Sequence, residues 1–375
     1  MTVAYRADHI GSFLRPPELL AAHKNGTPPE QLKALEDREI LRVIAKQKEL
    51  GYTIFTDGEL RRTSFMGDFL DRVEGIDLGT ASNRAWREDH LHAAGDQPLP
   101  PPVNPLGIVT GKLRQTRSLT DHELPFLKAH SPGDIKMTLP SPTQFPAILW
   151  KDGVTDKAYA NHQALLDDCT AIVSNECATL AKAGIAYLQL DAPRYSYYVD
   201  PKWRDFLRTE MHAEPEELLD SAIAADNACF RAARQLQPGM TLAIHLCRGN
   251  NRSQWYAEGG YDAIAEKLFG ELEVDRFLLE YDDERSGSFA PLRFVPKTKI
   301  AELGLISSKV AALESADAIV RRIDDAAKVL PLESLSISPQ CGFASTMYGN
   351  MLTEDQQWAK LKLVIDVAKR VWGEV

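Results

Sequence analysis

The stretch Thr241-Leu-Ala-Ile-His-Leu-Cys247 is a short apolar run that ends in two side chains able to bind metals, His245 and Cys247. A run of this length and composition is typical of a buried β-strand. Residues i and i+2 of a strand point to the same face, so these two side chains can converge on one point. Two more apolar runs end in a similar way, RFLLE at Glu280 and LSISPQC at Cys341. The pattern predicts three strands that each end in metal ligands.

These four side chains form a ligand set typical of zinc: one imidazole, two thiolates and one carboxylate. Ligands drawn from separate strand ends, rather than from one compact finger, indicate a catalytic site. Glu280 is predicted to be the weak ligand, because a carboxylate leaves zinc more readily than a thiolate does. Zinc would convert a substrate thiol, whose unperturbed pKa is near ~8.5, into a nucleophilic thiolate. The alternatives are ordinary core residues or a closed structural zinc site.

Strand-like and helix-like stretches alternate along the chain. Strands are predicted at Ala4–Ile10, Tyr52–Thr56, Ile135–Leu139, Ala186–Leu190, Thr241–Ile244, Arg276–Leu279, Leu305–Ser307 and Ser334–Ser338. Helices are predicted at Pro29–Leu50, Asp156–Ala183, Glu214–Gln237, Tyr261–Leu272, Ala316–Val329 and Glu354–Trp372, the last with Thr353 as its cap and Gln356 at N3. This order favours a single (β/α)8 barrel over residues 1–375, with a doubly wound sheet as the runner-up.

Segment 60–134 is the exception to the alternation, because it is too long for one crossover. It is predicted to be an insertion after the second strand that forms a lid over the barrel mouth. The segment contains the proline-rich run PLPPPVNPLG, then a possible hairpin at Gly107–Arg117 and a helix near Asp121–Ala129.

Polar residues follow most of the predicted strands, where a barrel places its active site. Asp57 and Glu59 follow the second strand and Asp191 ends the fourth. These acids are interpreted as groups that bind a substrate ammonium or position a proton. The dipeptide Gly11-Ser12 offers backbone N–H groups that could hold a carboxylate. Arg194 is either an anion clamp or an ion-pair partner.

Composition narrows the class of protein. The 375 residues carry a net charge of -10, with 44% hydrophobic and 26% charged residues. This composition is typical of a globular protein, and the negative charge argues against nucleic acid or an anionic membrane as main partner. No run approaches the ~18 apolar residues of a membrane span, and the N-terminal residues show no signal-peptide pattern. Five cysteines without a pairing pattern favour a cytoplasmic protein.

With these residues in hand, the chain resembles the catalytic C-terminal half of cobalamin-independent methionine synthase. It is more closely similar to the short, single-domain bacterial members of that superfamily. The resemblance runs from RADHIGSFLRP to LSISPQCGF and LTEDQQWAKLKLVIDVAKRVW. It is carried by the IGSF opening, the HxC motif and the interval from Glu280 to Cys341. The resemblance implies a (β/α)8 barrel and zinc ligands at His245, Cys247, Glu280 and Cys341.

The resemblance also implies substrates. Homocysteine would be bound by the backbone of Ile10, Gly11 and Ser12, with Glu59 and Asp191 at its amino group. Zinc would bind the homocysteine sulfur, and the thiolate would attack the N5-methyl of a methylated folate. The expected partners are therefore a small thiol and a methyl donor, either a methylfolate or a methylated corrinoid, with a homo-oligomer possible.

Three local departures from the family pattern keep alternatives open. PSPTQF, after the third strand, lacks the tryptophan on which the family stacks the pterin. LQLDAPRYSYY replaces the family's LQIDEPA, which puts Ala192 at a glutamate position and Arg194 nearby. Lys309 stands where the family has a histidine proton donor, so Lys309 or Asp57 would handle protons. The alternatives are an enzyme that joins another thiol, such as coenzyme M, to an epoxide, and a non-catalytic zinc-binding or thiol-binding protein.

Overall fold

The computed structural model describes residues 5–81, 92–93 and 106–375. Its strands, numbered along the chain, are β1 (Ile54–Phe55), β2 (Val73–Ala81), β3 (His92–Ala93), β4 (Leu106–Gln115), β5 (Asp134–Pro140), β6 (Tyr187–Asp191), β7 (Thr241–Leu246), β8 (Gln254–Trp255), β9 (Arg276–Glu280), β10 (Ile300–Ile306) and β11 (Leu335–Pro339). Seven of them form one curled parallel sheet in the order β1-β5-β6-β7-β9-β10-β11. Helices between these strands make the fold α/β.

The helices cover the sheet and follow the predicted alternation. They are α1 (Pro17–Lys24), α2 (Pro29–Leu50), α3 (Gly67–Arg72), α4 (Leu124–His130), α5 (Gln144–Leu149), α6 (His162–Lys182), α7 (Pro201–Glu210), α8 (Pro215–Leu236), α9 (Ala265–Glu271), α10 (Ala316–Ala327) and α11 (Glu354–Trp372). The predicted bounds of α2 and α11 are confirmed at both ends. The cap of α11 is confirmed as well: Gln356 N donates to Thr353 Oγ1 at 3.2 Å, and Thr353 N donates to Gln356 Oε1 at 2.8 Å. None of the described helices is long and apolar enough to cross a membrane.

The first predicted strand, Ala4–Ile10, is reduced to a single bridge among the described residues. Ala7 pairs in parallel with Ile337 of β11. Beyond this bridge, the carbonyl of His9 accepts a hydrogen bond from the side chain of Lys136, at 2.6 Å from Nζ. Seven strands and one bridged segment therefore stand where eight full strands were predicted.

The seventh predicted strand, Leu305–Ser307, was placed too late, since β10 begins at Ile300. The charged residue Glu302 argues against a buried strand in the residues before Leu305. In the structure Glu302 is fully buried, and Arg276 of β9 pairs with it at 2.8 Å. Because a charged residue in a buried strand requires a partner that is distant in sequence, the sequence alone does not predict this part of the strand.

The segment between β1 and β5 contains α3, the antiparallel pair β2–β4 and α4. The predicted helix near Asp121–Ala129 is confirmed as α4. The predicted hairpin at Gly107–Arg117 is wrong, because β4 runs without a turn and pairs with β2. Gly75, with φ of +99°, lies so close to the Lys112 carbonyl that a Cβ would stand 2.6 Å from its oxygen, which lets β2 follow β4. Most of the proline-rich run lies outside the described residues.

Candidate active site

Three of the four predicted zinc ligands converge at the carboxyl ends of the sheet. The ligand atoms of His245, Cys247 and Cys341 all lie within 4.8 Å of one another. His245 lies near the end of β7, Cys247 directly follows that strand, and Cys341 follows β11. These strands are three positions apart in the sheet, which would separate them by ~14 Å if the sheet were flat. The curl of the sheet therefore assembles the cluster.

The chemistry of this cluster fits a zinc ion. All three side chains are buried, and neither ring nitrogen of His245 is bound by a described residue outside the cluster. A hydrogen bond from the Cys247 thiol, helped by the nearby His245 imidazole, holds the pKa of Cys341 well below its usual range. The same hydrogen bond and burial raise the pKa of Cys247. One thiolate, one thiol and one imidazole thus face a common point, where zinc would take the place of the protons they share.

Glu280, the fourth predicted ligand, lies outside this three-residue cluster. One carboxylate oxygen pairs with Arg285, and the other accepts the Arg248 backbone N–H at 2.7 Å. Lys309 Nζ lies 3.9 Å from the first oxygen. Burial alone would raise the pKa of Glu280, but these three cationic side chains outweigh it and lower that pKa to about 2. Glu280 is ionised and held beside the cluster, and its role as a ligand stays a prediction.

The cluster opens into a partly enclosed cleft with both polar and apolar residues in its lining. Five of the predicted substrate-binding residues line it together with the three cluster residues: Ile10, Ser12, Glu59, Asp191 and Arg194. Gly11, Asp57, Lys309 and Glu280 are not among the residues that line it.

Glu59 and Asp191 form an acidic wall of the cleft. Glu59 has a left-handed backbone, with φ of 57°, an uncommon conformation for a residue with a side chain. Its Oε1 accepts a hydrogen bond from Thr138 at 2.8 Å, whereas its Oε2 has no partner among the described residues. Asp191 accepts one from Gln189 at 2.7 Å, and burial raises its pKa to about 7. Arg62 Nη1 lies 4.0 Å from Glu59 Oε1, so the unsatisfied acceptor of Glu59 is Oε2, and Asp191 has no ion pair among the described residues.

Gly11 and Ser12 connect the first segment of the chain to this wall. Gly11 has φ of +134°, and a Cβ there would lie 2.7 Å from Glu59 Oε1, so only glycine fits. Ser12 accepts the backbone N–H of Phe343 at 2.9 Å and that of Ala344 at 3.3 Å. The Ser12 backbone is thereby fixed beside the loop that carries Cys341.

The two predicted acid–base residues have no contact with the cleft. Asp57 accepts the Glu59 backbone N–H at 2.9 Å, so it shapes the turn that presents Glu59. Burial raises the pKa of Asp57 to about 7. Lys309 faces Glu280 and lies outside the lining. The geometry gives both residues a positioning role and leaves direct proton transfer to substrate without support.

Sequence reasoning missed several residues that line the cleft, among them Phe65, Met66, Gln144 and Asn250. Phe65 arrives there because its backbone N–H donates to Ser345, in the loop after β11, at 3.0 Å. That pairing joins distant parts of the chain and leaves no local pattern. Asn250 was within reach of inference, since it follows the ligand pair closely in HLCRGNN; its amide donates to the Gly342 carbonyl at 2.7 Å.

Known proteins are similar to the chain both in sequence and in architecture. The family model described as the catalytic domain of cobalamin-independent synthase matches residues 9–370. The chain belongs to that family.

Several members of the family match the chain over nearly their whole length. The Bacillus subtilis (strain 168) protein YxjH, described as uncharacterized, is 39% identical over 376 residues, which cover 98% of this chain and 95% of YxjH. A Listeria monocytogenes structure described as a candidate vitamin B12-independent methionine synthase is 29% identical, with a TM-score of 0.71 and full coverage of both chains. A B12-independent methionine synthase from Shewanella sp. W3-18-1, in complex with selenomethionine, is 19% identical, with a TM-score of 0.73 and 98% of each chain covered. The last likeness shows the shared fold.

Proposed function

We propose that the protein is a zinc-dependent thiol methyltransferase that transfers a methyl group to homocysteine and forms methionine. The observation that carries this proposal is the convergence of His245, Cys247 and Cys341 at the base of an open cleft. Two thiolates and an imidazole leave room for a fourth ligand, which is the arrangement of a catalytic zinc site. The family model and the Listeria monocytogenes structure, which is described as a candidate methionine synthase, support the same activity.

When bound, zinc would lower the pKa of the substrate thiol and keep its sulfur nucleophilic. His245, Cys247 and Cys341 would hold the ion, and Glu280 would complete the resting set. The residues that line the cleft would then position the ammonium and carboxylate groups of homocysteine.

The acidic wall suits the ammonium of homocysteine. Glu59 Oε2 has no partner among the described residues, and burial raises the pKa of Asp191, so an ammonium between the two carboxylates would stabilise both. The backbone N–H groups of Gly11 and Ser12 would receive the carboxylate. This wall favours an amino-acid thiol over coenzyme M, whose sulfonate it would repel. The open cleft likewise favours catalysis over a closed structural zinc site.

The methyl donor is proposed to be 5-methyltetrahydrofolate or another methyl carrier, such as a methylated corrinoid, that enters through the outer part of the cleft. We further propose that residues 1–375 form one closed (β/α)8 barrel, with the segment around Ala7 in the place of the first strand. Segment 60–134 would act as a lid: the β3 backbone pairs with β8, in the loop that follows Cys247.

Zinc-edge X-ray absorption on the zinc-loaded protein tests the proposal. Homocysteine should add one sulfur scatterer to the zinc shell, while coenzyme M at the same concentration should not. An unchanged shell with homocysteine would contradict the proposed acceptor, and a sulfur added by coenzyme M alone would favour the alternative alkyltransferase.

A further inference from the structure

Arg194 is a buried cation in the wall of the cleft that no carboxylate neutralises in the part of the chain that the structure describes. Its side chain is 4% exposed. Its Nη1 donates to the Tyr197 hydroxyl at 2.6 Å, and its Nε donates to none of the described groups. Buried Arg62, by contrast, has an acid at hand, since it lies 2.7 Å from Glu123.

Aromatic rings hold the Arg194 guanidinium in place without cancelling its charge. The guanidinium carbon lies 4.9 Å from the ring centre of Tyr197 and 4.8 Å from that of Tyr256. Such contacts stabilise a cation but leave its charge intact. A buried charge without a counter-ion is costly, and a flat guanidinium with unused donors matches an oxyanion. The site is therefore incomplete as the chain alone presents it.

The wall that carries Arg194 is rigid. The Tyr256 hydroxyl donates to the Pro193 carbonyl at 3.1 Å, and Trp203 Nε1 donates to the Tyr256 carbonyl at 2.6 Å. Gly249, with φ of +94°, lies directly against the Tyr256 ring, where a Cβ would clash. The loops after β6 and β7 are thus locked together, and the guanidinium is held ready for a ligand.

We infer that Arg194 forms a subsite for an oxyanion carried by the second substrate, the methyl donor. This inference rests on the proposed function. Each polar group of homocysteine is already assigned a binding site. The three-ligand cluster would bind its sulfur, and Glu59 and Asp191 would bind its ammonium. The backbone of Gly11 and Ser12 would bind its carboxylate. Arg194 lines the same cleft and remains unused. The donor therefore carries an oxyanionic group, such as a carboxylate, sulfonate or phosphonate, that reaches this wall of the cleft.

Thermal unfolding of the zinc-loaded protein tests the subsite with small probes. Acetate, methanesulfonate and methylphosphonate are compared with neutral acetamide at constant ionic strength, which separates the three kinds of oxyanion. At least one oxyanion should raise the melting temperature of the wild type by about 2 °C at ten times its Kd, while acetamide should not. The absence of any rise with all three oxyanions would overturn the inference.

Two variants connect the response to the guanidinium. Arg194→Met should abolish the rise in melting temperature. Arg194→Lys keeps the positive charge but loses the two parallel N–H donors of the guanidinium, so it should weaken oxyanion binding about tenfold. Arg293→Met is the matched control, because Arg293 also stacks on an aromatic ring, at 4.3 Å from that of Phe294, but on the surface. A full response in Arg194→Lys and Arg194→Met would place the anion elsewhere.

Homocysteine separates this inference from the proposed function. If Arg194 serves the donor, saturating homocysteine should leave the oxyanion response of the wild type intact. If homocysteine abolishes the response, Arg194 receives the carboxylate of the amino acid and the assignment to the donor is wrong. If instead homocysteine adds no sulfur to the zinc shell while the oxyanion response persists, the proposed acceptor fails and the anion subsite remains.

Discussion

Cys341 lies in the loop after β11, and its low pKa depends on Cys247 and His245 rather than on solvent. In the proposed zinc site this thiolate would supply much of the affinity for the ion, so Cys341→Ser should bind zinc at least ~100-fold more weakly. The measurement is competition with a chelator followed by metal analysis. Cys169→Ser is the control, because Cys169 is a buried cysteine of α6 outside the cluster. Equal zinc affinity in Cys341→Ser and wild type would contradict the ligand assignment.

Gly11 allows a prediction that separates zinc binding from substrate binding at the same scale. The Cβ of Gly11→Ala would meet Glu59 Oε1 at 2.7 Å and the Thr138 methyl group at 2.9 Å, so the carboxylate must move. We expect homocysteine affinity to fall at least ~10-fold, the worth of one charge-assisted hydrogen bond, with zinc content unchanged. Gly26→Ala is the matched control, since φ at Gly26 is +64° but no atom lies within 4 Å of its Cβ. Calorimetric titration with homocysteine would show the difference, and an equal loss in both variants would refute it.

Among the elements, α8 ties two loops of the cleft together through Asp226. Its carboxylate accepts hydrogen bonds from Ser141, after β5, at 2.7 Å and from Tyr195, after β6, at 2.9 Å. Burial raises the pKa of Asp226 to about 7. The folded state therefore keeps a proton that the unfolded state has already released above pH ~4, and stability falls as the pH rises from ~4 to ~7.

Asp226→Asn removes that titration. The wild type should lose up to roughly 4 kcal/mol relative to Asp226→Asn between pH 4 and pH 7.5, as three pKa units imply. Urea unfolding at a series of pH values measures the difference. A constant offset between the two proteins would show that Asp226 is ionised throughout.

The elements also show which features the sequence could reveal. Helices such as α11 were predicted to the residue, because caps and apolar periodicity are local signals. The ligand pair at the end of β7 followed from strand geometry alone. The start of β10 could not be predicted from the sequence, because Glu302 is charged yet buried against Arg276. The position of Phe65 could not be predicted either, because a contact with a residue distant in sequence brings it to the cleft. Tertiary pairing, which overrides local pattern, accounts for both failures.

At the scale of the whole molecule, the segment around Ala7 contacts two distant parts of the curled sheet. That segment bridges β11 on one side, and Lys136 of β5 reaches it from within the sheet. Lys136 Nζ lies 2.9 Å from both carboxylate oxygens of Asp8, and both side chains are fully buried. This ion pair therefore connects β5 to the segment beside the last strand.

Lys136→Met tests whether the pair holds the molecule closed. The variant leaves the Asp8 carboxylate buried without a counter-ion, so the free energy of unfolding should fall by roughly 3–5 kcal/mol. The double variant Asp8→Leu with Lys136→Met removes both charges and should recover much of that loss, because the remaining residues can pack as an apolar core. Urea unfolding gives both values, and hydrogen exchange at residues 5–10 should rise in the single variant before global unfolding. If the single variant were as stable as the wild type, with those amides still protected, the first segment would be held by β11 alone and the sheet would not depend on this pair.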